Sequence, residues 1–305
     1  MSPFGRIAGF TAVLAVVFVA ASVAGAELNP SVDGDPGGHE EEVEMANGHE
    51  STTSAHDAGV PPGLTVAQRG YRLVPERSRI SAGASEDYRF SIVTAGGETV
   101  REYDVEHERR MHLIVVRRDF EGFQHLHPRQ AGDGSWRASV DLDAAGVYRV
   151  FADFAVDGES LTLGSDLFVA GGFEPEPLPP VVATADAGDG YEVRIDAAAP
   201  RSGGSTAVRF AVRRNGRRVD AVEPYLGADG HLVALRQHDL AFLHVHPQGD
   251  PGGSGPIAFE VEYPTSGRYR LFLQFKHGGE VRTAAFTQAV DVSGSTGGEV
   301  GDGGH

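Results

Sequence analysis

Apolar and polar positions alternate in short runs along most of this chain, and no stretch holds a 3.6-residue period for more than two turns. Segments such as FSIV, FAV, YRVFADF and YRLFLQF are brief and rich in β-branched and aromatic residues. Turn signals at Gly96-Gly97, Asp157-Gly158 and Asn215-Gly216 punctuate them. Asn215-Gly216, inside RFAVRRNGRRVDAV, is a two-residue hairpin signal. In one long strand Tyr148, Val150, Ala152 and Phe154 fall on a common face, and Tyr269, Leu271, Leu273 and Phe275 do so in another. The pattern predicts an all-β protein.

The pattern also repeats. MHLIVVRRDFEGFQHLHP (111–128) matches GHLVALRQHDLAFLHVHP (230–247), so that His112, His125, His127 and Pro128 correspond to His231, His244, His246 and Pro247 at an offset of 119. GVYRVFADF (146–154) matches GRYRLFLQF (267–275) at an offset of 121. The stretches leading to Tyr148 and Tyr269 both have the tyrosine-corner pattern, in which a Tyr hydroxyl ties one strand to an earlier corner. The fold class expected is therefore two tandem immunoglobulin-like or cupredoxin-like β-sandwich domains, at 64–172 and 185–294, joined by a Pro-rich linker at 173–184 (FEPEPLPPVV over 173–182).

The ends differ in character. Residues 1–26 combine Arg6, an apolar stretch from Ile7 to Val23 and an Ala24-Gly25-Ala26 cleavage pattern, which reads as a signal peptide, the alternative being an uncleaved membrane anchor over 7–25. Residues 27–63 form an acidic tail, expected to be disordered, that carries His39, His49, His56 and Met45. Residues 295–305 are a flexible Gly-rich tail. The expected location is therefore outside the cytoplasm, extracellular or in the cell envelope.

Composition then removes whole classes of function. The 305 residues contain 13 His and no Cys, which excludes disulfides, thiolate metal sites, iron–sulfur clusters, a Cys nucleophile and a lipobox anchor. A net charge of −17 gives no electrostatic footprint for nucleic acid. No paired acids, nucleophile elbow or cofactor loop appears, so no enzymatic activity is expected.

The remaining chemistry lies in H-x12-H-x-H-P, present twice. If residues 111–116 and 123–127 form a hairpin centred between Asp119 and Phe120, positions summing to 239 face each other. His112 then opposes His127, Ile114 opposes His125, and the three imidazoles share one face. The same construction in the second half, with positions summing to 477, brings together His231, His244 and His246. Pro128 and Pro247 are expected to end their strands. Ile114, Val116 and Phe123 would continue from the cluster into the sandwich core. Three neutral imidazoles suit oxidised copper first and zinc second. Further candidate ligands are Asp153, His107 and Glu108 in the first half and Gln274 or His277 in the second. Met111 falls on the opposite face of its strand.

On these motifs the chain resembles a group of secreted, mainly actinobacterial, uncharacterised or heavy-metal-binding proteins with HLHP motifs. More widely it is similar to YtkA-like and copper-carrier β-sandwiches of the bacterial envelope. The resemblance covers roughly 66–293 and implies metal or copper handling, with the ion as ligand and another envelope metal-handling protein as partner. The expectation is an exported metal-binding protein, for copper first and zinc second, with one three-His cluster per sandwich. The alternative is a structural or protein-interaction sandwich module whose histidines only pack.

Overall fold

A computed structural model of the protein describes residues 60–292, apart from positions 84 and 198. The leader, the acidic tail up to residue 59 with its histidines, and the 295–305 tail lie outside the described residues.

The first repeat supplies β1 (Ala67–Gln68), β2 (Tyr71–Pro75), β3 (Arg79–Ser81), β4 (Ser85–Thr94), β5 (His112–Arg117), β6 (Gln124–Leu126), β7 (Arg129–Gln130), β8 (Trp136–Asp141), β9 (Gly146–Val156) and β10 (Glu159–Ala170). The second supplies β11 (Thr184–Asp186), β12 (Tyr191–Ala197), β13 (Gly204–Arg214), β14 (Arg217–Arg218), β15 (His231–Arg236), β16 (Val245–Gln248), β17 (Ile257–Tyr263), β18 (Gly267–His277) and β19 (Glu280–Val290). Each repeat is a sandwich of two sheets. The first pairs β1-β2-β4-β8-β7 with β3-β10-β9-β5-β6. The second pairs β11-β12-β13-β17-β16 with β15-β18-β19, and β14 is added to β13.

Local chemistry fixes several of these elements as expected. Asn215 and Gly216 both take positive φ (50° and 77°), which is what the two central residues of a type I′ hairpin require, and β13 turns directly into β14. Tyr148 donates its hydroxyl to the Ala144 carbonyl (2.9 Å) and Tyr269 to that of Thr265 (2.7 Å), so both repeats are tied at a tyrosine corner. Tyr148, Val150, Ala152 and Phe154 line the interior of the first sandwich, and Tyr269, Leu271, Leu273 and Phe275 that of the second.

The two sandwiches also share a third apolar layer. β5 is buried along its whole length, and so is the middle of β15, because both faces of these strands are covered. Met111, just before β5, and Leu113 and Val115 on it point into the first sandwich. Ile114 and Val116 point outward into a seam with Val233, Leu235 and Phe272 of the second repeat. This corrects the expectation for the residues beside the His cluster: Ile114, Val116 and Phe123 pack between the sandwiches, not inside one. Burying each such side chain contributes about 1.5–3 kcal/mol, so docking is favoured over loose tethering.

The seam has the character of an isologous contact. Phe123 of the first repeat stacks on Phe272 of the second (3.9 Å between centroids, 5° between planes), while their repeat equivalents, Phe242 and Phe151, meet at 5.5 Å. Ile114 and Val116 likewise face the seam together with their equivalents Val233 and Leu235.

Two connections cross or border the seam. Gly63 donates its amide to the Thr162 carbonyl (2.8 Å) and accepts from the Arg149 guanidinium (2.6 Å), while the adjacent Pro62 carbonyl accepts from the Phe242 amide (3.0 Å). The last residues assigned to the acidic tail are therefore part of the fold. Gly63 sits at φ +75°, and a Cβ there would fall 2.6 Å from the Phe151 ring, so only glycine fits this strap. The 173–184 linker packs back on the first repeat: Glu176 donates its amide to Asp119, Arg117 lies over the Phe173 ring, and Leu178 reaches the seam.

Candidate metal centre

The first hairpin has the register its sequence predicts. Leu113 pairs with Leu126, Ile114 with His125 and Val115 with Gln124, all summing to 239. This puts His112, His125 and His127 on the outward face of their sheet, at the end of the seam. One ligand nitrogen from each lies within 4.8 Å of the other two. Among the described residues this is the one group of three or more His, Cys, Asp or Glu side chains so placed. On the other side of His112, β9 pairs it directly with Asp153.

The second triad does not assemble. The hairpin starts in the expected register, with Leu235 bridged to Phe242 and the Leu243 amide bonded to Ala234. There it ends, because Leu243 and Val245 turn into the second sandwich and the chain joins the opposite sheet as β16, with His246 opposite Glu260. His244 and His246 are exposed and remote in register from His231. Pro247 does not end a strand. It sits within an edge strand, where a missing N–H costs no ladder bond.

His231 joins the first repeat's histidines instead. Its ring stacks on His125 (4.5 Å) and is nearly parallel to His112 (5.7 Å, 4°). Gln274, its cross-strand partner on β18, reaches over the seam, and its Oε1 lies 2.6 Å from His125 Nδ1. His107 packs edge-on against both His112 and His231, from an exposed turn in which His107 and Glu108 take positive φ (46° and 62°). Of the other candidates, His277 is bonded to the Tyr191 hydroxyl (2.7 Å), Glu108 is exposed, and Met111 lies in the first sandwich's interior. Reading each half separately missed the grouping of His231 with the first triad. A signal was present, since the unbroken apolar runs HLIVV and HLVAL imply strands covered on both faces.

Burial governs the electrostatics. Desolvation lowers His112 to about 4, His125 to about 3 and His127 to about 4, with neighbouring imidazoles or Arg109 adding to it. His231 is driven well below 6.5 by the same cause. These rings are neutral at pH 7, the state in which imidazole ligates. Burial raises Asp153 to about 6, against the opposing hydrogen bond from the Thr162 hydroxyl (2.7 Å).

Counting protons narrows the chemistry. A neutral imidazole has one N–H. His112 Nε2 faces the Glu106 carbonyl (3.2 Å) and His125 Nδ1 faces Gln274 Oε1, so both outer nitrogens face acceptors and should donate. The inner nitrogens, His112 Nδ1 and His125 Nε2, then confront each other as two lone pairs 2.9 Å apart. His127 Nε2 is buried and has no partner. Outer N–H groups held by a backbone carbonyl and an amide, with inner lone pairs convergent, is the second-shell arrangement of metal-bound histidines.

The model of the family described as Domain of unknown function (DUF8832) matches residues 65–171 and again 183–292, more than half of the chain. The chain belongs to that family. Its two DUF8832 domains are the two sandwiches described above. No curated protein matches the chain. Solved structures that align with the DUF8832 pair include the Escherichia coli adhesin FdeC (13% identity, TM-score 0.24, 72% of this chain and 64% of that one). Others are Yersinia pseudotuberculosis InvD (13%, 0.25, 73% and 58%) and domains 4–9 of the surface layer protein SbsC (9%, 0.24, 73% and 31%). The chain spans less than two thirds of each of these three, and likenesses of that size carry no functional argument.

Proposed function

We propose that this chain is an exported metal-binding protein with one site, formed by His112, His125 and His127. The observation that carries the reading is the close approach of His112 Nδ1 and His125 Nε2 (2.9 Å) in a buried three-His cluster where His127 Nε2 has no partner. A buried polar atom without a partner costs about 1–3 kcal/mol, and a cation shared by the three nitrogens removes that cost. The all-nitrogen donor set suits Cu(II) first and Zn(II) second. The leader sequence supports a role outside the cytoplasm, and sequestration or transfer to another envelope metal-handling protein fits a buried site of neutral imidazoles.

The test is metal content and Cu(II) and Zn(II) titration of the purified chain. About one equivalent is expected, lost in the triple variant His112→Ala/His125→Ala/His127→Ala. Full-affinity binding by that variant would end the proposal.

A second reading is favoured by the seam itself. The imidazoles stack as part of an apolar contact between repeats, and turning the Gln274 amide over would let it donate to His125, His125 to His112, and His112 to Glu106 without metal. The chain is then a duplicated structural or protein-interaction module of the envelope. This reading predicts no stoichiometric metal, and the same three substitutions would lower stability instead.

A further inference from the structure

We infer that the metal site belongs to both repeats: Gln274 of the second is a positioning residue for His125, so that metal affinity and docking of the two sandwiches depend on each other. This rests on the metal reading above.

The argument starts from where the parts come from. All three ligand candidates lie in the first repeat, yet the residue that orients His125 is contributed across the seam, with Oε1 2.6 Å from Nδ1. That contact does two things. With the amide oxygen turned to the ring, it places the proton on Nδ1 and leaves Nε2 free to ligate. It also fixes the ring plane, since the amide itself is steered by Thr283 (Nε2 to Oγ1, 3.5 Å). His231 completes the wall, covering His125 and lying parallel to His112 on the side away from the first sandwich. If the second sandwich swung away, His125 would lose its orienting acceptor and the rings their dry neighbour.

Repeat equivalence shows that this role is particular to one side. The counterpart of Gln274 is Asp153, which lies opposite His112 just as Gln274 lies opposite His231. The symmetric contact would run from Asp153 to His244. It cannot form, because His244 has left with the opposite sheet. The second repeat has thus kept its orienting side chain while its own ligands have gone elsewhere.

Linkage makes the dependence reciprocal: whatever docking does for metal affinity, metal does for docking by the same factor. Losing an outer partner of a metal-bound His lowers affinity about 10–100-fold. Gln274→Leu in the full chain is therefore expected to weaken Cu(II) binding by about that factor and to change the Cu(II) electron paramagnetic resonance spectrum. Gln274→Glu, which keeps an acceptor oxygen, should restore most of the affinity. Phe272→Ala, which alters no candidate ligand but removes the stack on Phe123, should weaken Cu(II) binding too. In the unaltered chain, saturating Zn(II) should slow amide exchange at Val233, Leu235 and Phe272.

Wild-type Cu(II) affinity and spectrum in Gln274→Leu, or unchanged exchange in the second repeat on Zn(II) loading, overturns the inference while the site in the first repeat stands. Unchanged Cu(II) binding by the triple His variant overturns both. The exchange measurement needs no substitution, so it decides the matter even if Gln274→Leu fails to fold.

Discussion

The same motif meets two fates in this molecule. QHLHP and LHVHP follow equivalent strands at a fixed offset, and both hairpins begin in the same register. In the first repeat the strand stays with its sheet through Leu126, long enough to bring His125 and His127 beside His112. In the second it changes sheets at His244, two residues before the position equivalent to His127. A copied HxHP therefore does not make a copied site. The residue at which the chain crosses between sheets decides which side chains converge, and that crossing is set by which apolar residues the opposite sandwich wall takes in.

Four measurements sharpen or break this comparison. The largest effect is expected at the seam. Phe151→Ala and Phe272→Ala occupy equivalent, fully covered positions, and each should cost about 3–5 kcal/mol in denaturant unfolding. A loss below about 1 kcal/mol at either would break the isologous description of the contact. Next comes the motif itself. His125→Ala/His127→Ala should weaken Cu(II) binding by about 100-fold or more, equivalent to about 2.7 kcal/mol. His244→Ala/His246→Ala should leave it within about threefold, or about 0.65 kcal/mol. Equal losses from both pairs would mean that the second motif ligates after all.

The third effect is of pH on the metal-free chain. His112, His125 and His127 have folded pKa values below 6.5, so the unfolded chain takes up more protons beneath that value. Their contribution is present above pH 6.5 and is lost as the pH falls toward about 4, at about 1.4 kcal/mol per pH unit for each proton taken up. Asp153 opposes them, because its folded value of about 6 lies above 3.8 and its contribution is lost as the pH rises through 6. Three histidines outweigh one carboxyl, so urea midpoints should fall from pH 6.5 to 4. A flat profile over that range would contradict the burial of the cluster. The smallest expected effect is at the two tyrosine corners, where Tyr148→Phe and Tyr269→Phe should each cost about 1 kcal/mol and so match each other.

Much of this was legible in the sequence wherever the deciding interaction is local. Tyrosine corners, the Asn215-Gly216 hairpin and the 239-sum register each depend on residues within about a strand's length of one another. What period-2 reasoning could not supply was the strand's choice between two sheets of one sandwich, since Val245 fits an apolar position on either. The docking was half visible. Ile114 and Val116 lie on the His face, as the register predicts, but that face meets the neighbouring repeat and not a sandwich interior. A strand apolar on both faces needs two cores, and the second core here is the neighbouring repeat. His231 therefore found its partners across a distance in sequence that no local pattern spans.

The strap at Pro62 and Gly63 has a mechanical consequence. Its carbonyls and amide bond to Thr162 and Arg149 of one sandwich and to Phe242 of the other, so whatever precedes residue 60 is attached at the line where the repeats meet. Tension applied through the N-terminus reaches that line before it reaches either sandwich. The joint between the repeats, with the imidazoles at its end, is the first part of the described fold to carry the load.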